Sequence, residues 1–94
     1  MVAINRPFSL GQVVATPGAL KALERSGQRA AEFLNRHARC DWGAVDEHDR
    51  QANDEALVSG ERLLSAYQTK LGDRIWIITE WDRSVTTLLL PDEY

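Results

Sequence analysis

Only one cysteine, Cys40, occurs in the 94 residues, so no disulfide can close within the chain. A short secreted domain ordinarily carries several. Long apolar runs are also missing: nothing approaches the roughly 18 consecutive residues of a membrane helix. The opening stretch MVAINRPFSLGQVV is interrupted by Asn5, Arg6, Pro7 and Gly11 and has neither the basic head nor the apolar run of a signal peptide. The cytoplasm is the expected setting, with no membrane partner. Glycine-rich phosphate loops, nucleophile elbows and dinucleotide fingerprints are absent as well, and no cofactor is expected.

What the chain does have is the composition of an ordinary globular domain, 44% apolar and 27% charged. Its length suits one domain spanning 1–94, with residues 1–9 read as a loose arm. The net charge of −3 is small but unevenly placed. Between residues 21 and 39, Lys21, Arg25, Arg29, Arg36 and Arg39 outweigh Glu24 and Glu32. Between 41 and 61, seven acids face the single Arg50. A basic segment is thus followed by an acidic one.

Local signals divide the first two thirds into three helices. LGQVVAT is a short β-branched run that suits a strand. Thr16-Pro17 then reads as a helix start, because Thr caps free N–H groups and Pro at the first helical position has none to leave unsatisfied. A helix from Pro17 to about Ser26 is predicted, with Leu20 and Leu23 inward and Gly27 as its stop. A second is predicted from Gln28 to about Arg39, with Ala30, Phe33, Leu34, His37 and Ala38 on one face. Asp46 suits the N-cap of a third, running from Glu47 to about Ser59, with Asp49 at the capping-box position, Ala52, Ala56 and Leu57 inward and Gly60 ending it. Helix-start chemistry thus accounts for much of the acidity of CDWGAVDEHDRQANDEAL.

From Arg62 the pattern changes to strands. RLLSAYQT, RIWIITEW and SVTTLLL are β-branched or aromatic, and short turn-forming links separate them. The expected fold is α+β: a short N-terminal strand or arm, three short helices, then a three-stranded antiparallel meander with the helices packed on one face. In the middle strand Ile75, Ile77, Thr79 and Trp81 alternate with Arg74, Trp76, Ile78 and Glu80. Both faces hold large apolar groups. Helices cover only one, so the other calls for an N-terminal strand, a dimer partner or a ligand.

Several chemical constellations deserve weighing. His37, Cys40 and His48, with Asp41 or Asp46, match no common zinc spacing, and no metal site is expected. A Cys40–His37 dyad lacks an orienting group. Glu80, Asp82 and Arg83 around Trp81 are the one acid and base set to inspect for a small-enzyme site, although a polar hairpin turn with an ion pair is the favoured explanation. Arg25, Arg29, Arg36 and Arg39 would carry a DNA-binding regulator if they formed one free stripe, against which the acidic total argues. A non-enzymatic interaction module would draw on Trp76, Ile78 and Trp81, or on Trp42, Asp46 and Glu47 at the start of the acidic helix, since aromatic residues dominate interface energetics. Its partner would be another protein or a second copy of the chain.

FSLGQVVATPGAL, FLNRHARCDWG, RLLSAYQTK and IWIITEWDRSVTTLLLPDEY together resemble a family of short bacterial proteins carried on plasmids and integrated mobile elements. The resemblance runs from Phe8 to Tyr94, and VVATPGAL, DWG and LLPDEY are its most specific pieces. It implies a small protein that binds a larger one, acting on or beside a host defence system of the restriction type. It supplies no catalytic residues, and the chain carries no adenine-methylating motif.

Overall fold

The computed structural model describes residues 7–94. Its elements run β1 (Gln12–Ala15), α1 (Pro17–Ser26), α2 (Ala30–Ala38), α3 (Glu47–Ser59), β2 (Leu63–Gln68), β3 (Arg74–Thr79) and β4 (Val85–Leu89), followed by a 3-10 turn at Pro91–Glu93. No helix among the described residues is long and apolar enough to cross a membrane.

The helix boundaries follow their caps. Thr16 Oγ1 accepts the Ala19 N–H at 3.2 Å, and Gly27 ends α1 in the left-handed conformation. Asp46 Oδ1 accepts the Asp49 N–H at 2.8 Å, and Gly60 ends α3 in the same way. The second helix begins at Ala30 and not at the expected Gln28. The Gln28 side chain is used elsewhere: its amide donates to Glu32 and its carbonyl accepts the Lys70 N–H, tying the start of α2 to the β2–β3 turn.

Two inward faces differ from expectation. On α1 the buried set is Ala19, Ala22 and Leu23, while Leu20 is 53% exposed. Positions i, i+3 and i+4 form one stripe, and the two alanines let the helix lie close to the sheet. On α3 the buried residues are Asn53 and Ala56, and Ala52 is exposed. Here the helix lies along the outer edge of β2. The Asn53 amide donates to the Leu64 carbonyl at 2.7 Å, and its carbonyl accepts the Leu64 N–H at 3.0 Å, so one side chain satisfies both backbone groups of an edge residue.

The three-stranded meander is part of a larger sheet. Its four strands are ordered β1-β4-β3-β2, with β2, β3 and β4 antiparallel and β1 parallel to β4 in the register Gln12↔Val85 to Ala15↔Leu88. A parallel pair needs a crossover, and here all three helices and two strands intervene. Gly11, at φ 63°, makes the junction possible, because a Cβ there would collide with the carbonyls of Arg83 and Ser84. At the far edge the bridge between Gly43 and Ala66 covers β2: Ala66 N–H donates to the Trp42 carbonyl at 3.0 Å, and Ala44 N–H donates to the Ala66 carbonyl at 2.7 Å.

Two apolar clusters fill the space between helices and sheet. Ala19, Ala22, Leu23 and Phe33 pack on Tyr67, Ile75, Ile77 and Leu88. Phe8, Trp42, Ala56 and Leu63 form the second. Of the loose arm expected at 1–9, residues 1–6 lie outside the described residues, and Phe8 is part of this core, stacked on Trp42 with ring centroids 6.2 Å apart.

Buried His37, Ser65, Thr79 and Thr86 add a polar seam to this interior. His37 Nε2 lies 2.9 Å from Thr79 Oγ1, Thr79 lies 2.7 Å from Thr86 Oγ1, and the Thr86 hydroxyl donates to the Leu10 carbonyl at 2.6 Å. A carbonyl can only accept, so the direction of the whole chain is fixed. Thr86 gives its proton to Leu10, Thr79 gives its proton to Thr86, and Nε2 of His37 must be the protonated ring nitrogen. Nδ1 is then left to accept from Ser65.

Candidate interaction surface

The β3–β4 turn carries the most exposed aromatic ring of the three tryptophans. Strand β3 ends at Thr79, so Trp81 leaves the sheet before the alternation can turn it inward. It is 66% exposed. The turn beneath it is closely tied. Asp82 Oδ1 accepts the Ser84 N–H at 3.1 Å and the Ser84 hydroxyl at 2.6 Å, which hold the Asp82 carboxyl below the usual carboxylate range.

Arg83 fastens this turn to the end of α3. Its guanidinium donates to the carbonyls of Ala56 at 2.9 Å, Glu61 at 2.6 Å and Glu80 at 3.2 Å, and lies 5.9 Å from the centre of the Phe8 ring. A cation at the carbonyl end of a helix is favourably placed against the helix dipole. The same junction brings the last turn of α3 to the Trp81 end of the molecule. There Val58 is 92% exposed, and Glu55, Glu61, Glu80 and Asp82 are also exposed. Val58 and Trp81 are thus exposed apolar groups on two elements that Arg83 joins, and both elements also carry exposed acids.

Of the expected enzyme set, Arg83 is engaged by three backbone carbonyls and Asp82 by Ser84. Both roles stabilise the turn. The distribution of hydrogen bonds favours the polar-hairpin explanation over a cleft.

The other tryptophans have different roles. Trp42 is 5% exposed, packs edge-on against His37 at 5.6 Å and donates its indole N–H to Asp54 at 3.2 Å. It is core. Trp76, half-buried on the sheet face away from the helices, meets the Tyr94 ring at 5.9 Å, and Arg62 lies over the other ring at 5.7 Å. Ile78 and Leu89 on that face are buried. The chain's own C-terminal turn supplies cover for part of this face: Glu93 accepts from the Thr16 hydroxyl at 2.5 Å and from the Leu90 N–H at 2.8 Å. Asp46 is the α3 cap, and Glu47 is exposed in the first turn, 3.8 Å from Arg50.

The four arginines are unequal. Arg25 pairs with Asp73 at 2.9 Å, and Arg36 pairs with Asp41 at 2.8 Å while lying 4.6 Å from the centre of the Tyr67 ring. Arg29 and Arg39 are exposed at the two ends of α2. Carboxylates therefore meet two of the four charges.

A cavity of about 230 Å³ opens beside the start of the acidic segment, lined by Cys40, Asp41, Trp42, Gly43, Arg50 and Asp54. Its polar groups are largely spoken for. Asp54 holds the Trp42 indole, Asp41 holds Arg36 and the Gly43 N–H, and burial with the nearby Asp54 charge pushes the Cys40 thiol up, away from the thiolate. Among the described residues no group of three or more His, Cys, Asp or Glu side chains is arranged to hold a metal.

Comparison with known proteins adds no family to this geometry. No family model, curated protein or solved structure matches the chain.

The alternation of β3 groups Trp81 with Ile75, Ile77 and Thr79, two of which are core isoleucines, yet Trp81 is exposed. The signal for its exposure was the DR pair that follows, which ends the strand. Val58 carried no signal, since its exposure depends on α3 lying at an edge.

Proposed function

We propose that the protein is a non-enzymatic protein-interaction module whose contact surface is centred on Trp81 and extends to Val58. The observation carrying this reading is a largely exposed tryptophan on a turn already fixed by Arg83 and Asp82. An exposed indole forgoes a burial worth several kcal/mol, and tryptophan is the residue most enriched among energetic hot spots. A fixed turn loses little conformational freedom on binding. The exposed acids on both elements favour a partner with an apolar pocket rimmed by Lys or Arg. The resemblance to mobile-element proteins supports a larger subunit of a restriction-type host defence system as that partner.

The test is a comparison of the wild-type protein with Trp81→Ala as immobilised bait for purified restriction-system subunits and for bacterial lysate. The wild type is expected to retain a stoichiometric partner with affinity at least about 30-fold above that of the variant, as befits a hot spot of about 2 kcal/mol or more. Equal retention by the two proteins would overturn the reading.

A further inference from the structure

The two edges of the sheet are treated differently. At β2, Asn53 and the segment Trp42–Ala44 occupy the outward backbone groups of Leu64 and Ala66. At β1 no described residue does the same for the outer edge. Gln12 N–H donates to Ser84 and Thr16 N–H to Leu88, so Gln12, Val14 and Thr16 face β4. By the period-two alternation of a strand, the N–H and C=O groups of Val13 and Ala15 point away from the sheet.

This edge also lacks the usual guards. Edge strands are commonly blunted by Lys, Pro, a bulge or an inward charge. Gln12–Ala15 contains none of these residues, and Val13 and Val14 are 44% and 39% exposed. It is firmly presented, because Gly11 seats one end against Arg83 and Ser84 and Thr16 caps α1 at the other.

We propose that β1 pairs antiparallel with β1 of a second copy of this chain, about a two-fold axis at Val14. In that register Val13 faces Ala15 of the other copy. Each such pair exchanges two N–H···O=C bonds, so the symmetric contact forms four and satisfies all four outward groups on each strand. The two Val14 side chains meet as a non-hydrogen-bonded pair, the closer of the two spacings, on the sheet face away from the helices. No like charges oppose one another, because the strand has no charge on either face. The occupant that fits is a second copy: Val13 and Ala15, the two outward residues, are each other's partners under the two-fold, and the uncharged strand places no like charges across the axis. The result is a continuous eight-stranded sheet. This surface is separate from Trp81 and stands whether or not that turn binds a partner.

Sedimentation equilibrium over a range from low to several hundred micromolar tests the proposal, together with amide hydrogen exchange at both ends of that range. The expected result is a doubling of mass with concentration, accompanied by slowed exchange at the Val13 and Ala15 amides. Val14→Lys places two ammonium groups across the axis and is expected to weaken the dimer at least tenfold. Val13→Pro removes an outward N–H without touching a bond to β4 and is expected to do likewise. Circular dichroism and melting confirm that each variant is folded. A mass that stays monomeric at every concentration would overturn the proposal. So would a dimer whose Val13 and Ala15 amides are unprotected, or one that both folded variants form as readily as the wild type.

Discussion

His37 Nδ1 and Ser65 Oγ lie 2.5 Å apart in an interior from which both side chains are fully excluded from solvent. The hydrogen-bond direction fixed at Leu10 makes Nδ1 the acceptor, so a second proton on the ring has no place to go without breaking the Ser65 bond. Burial accordingly lowers the His37 pKa from 6.5 to about 4. The unfolded chain binds this proton more readily than the folded one. The stabilisation is therefore complete above pH 6.5 and is lost as pH falls from there to about 4. Integrated over that window the loss is about 3 kcal/mol. Denaturant melts at pH 7 and pH 4.5 should show most of it, and His37→Gln should flatten this part of the profile. A slope that survives that substitution would assign it to other groups.

Trp42 and Trp81 should separate stability from binding. Trp42→Ala empties a core position between Phe8 and His37 and is expected to cost about 3 to 5 kcal/mol. Trp81→Ala removes an exposed ring and should change stability by no more than about 0.5 kcal/mol. Urea midpoints of the two variants measure the contrast, and a Trp81 variant as damaged as the Trp42 variant would make Trp81 part of the core.

Asn53→Ala strips both hydrogen bonds from Leu64 and reopens the β2 edge. A loss of about 1 to 3 kcal/mol is expected, with concentration-dependent aggregation as a second sign. Asn53→Asp keeps the acceptor for the Leu64 N–H but loses the donor and adds a charge, so it should also be less stable than the wild type. A fully stable, non-aggregating Asn53→Ala protein would mean that Leu64 has no need of this side chain.

Arg83 combines a favourable guanidinium with an unfavourable backbone at φ 62°. Arg83→Ala keeps the backbone cost while losing the contacts, and about 1 to 3 kcal/mol should go with it. Arg83→Gly loses the same contacts but relieves the left-handed conformation, recovering about 1 kcal/mol relative to alanine. Thermal melts should therefore rank wild type above Gly, and Gly above Ala. The reverse order of Gly and Ala would show that the turn relaxes out of this conformation.

Replacing Asp46 by Ala is expected to cost about 1 kcal/mol, the usual worth of an N-cap, measurable in the same melts.

Much of the fold was legible because its signals are local. Thr16-Pro17, Gly27, Asp46 and Gly60 act on the turn of helix beside them, and α1 and α3 begin and end where these residues stand. The alternation of β3 is equally local. What was not legible depends on where elements meet. Nothing near Gln12 names Val85 as its partner, so the parallel pairing that extends the meander was invisible. Apolar size favoured Leu20 over Ala19 and Ala22 as the inward residues of α1, whereas close approach to the sheet favours the small side chains. Asn53 read as a surface residue because its partner is a backbone edge and not another side chain. His37 was placed on the inward face of α2, but its polar partners lie 28 and 42 residues away.

The pairing of β1 with β4 also orders events in time. Synthesis delivers Gln12 long before Val85, and the three helices, β2 and β3 all appear before the strand that will hold β1 in place. The Leu10 carbonyl waits equally long for Thr86, and Thr16 waits for Glu93. Long-range pairings of this kind close late and slowly. The emerging chain therefore has no partner for its first strand until Val85–Leu89 is made. A nascent protein stopped short of Leu89 would carry QVVA as a bare segment, and closure of the sheet must wait until β4 has emerged.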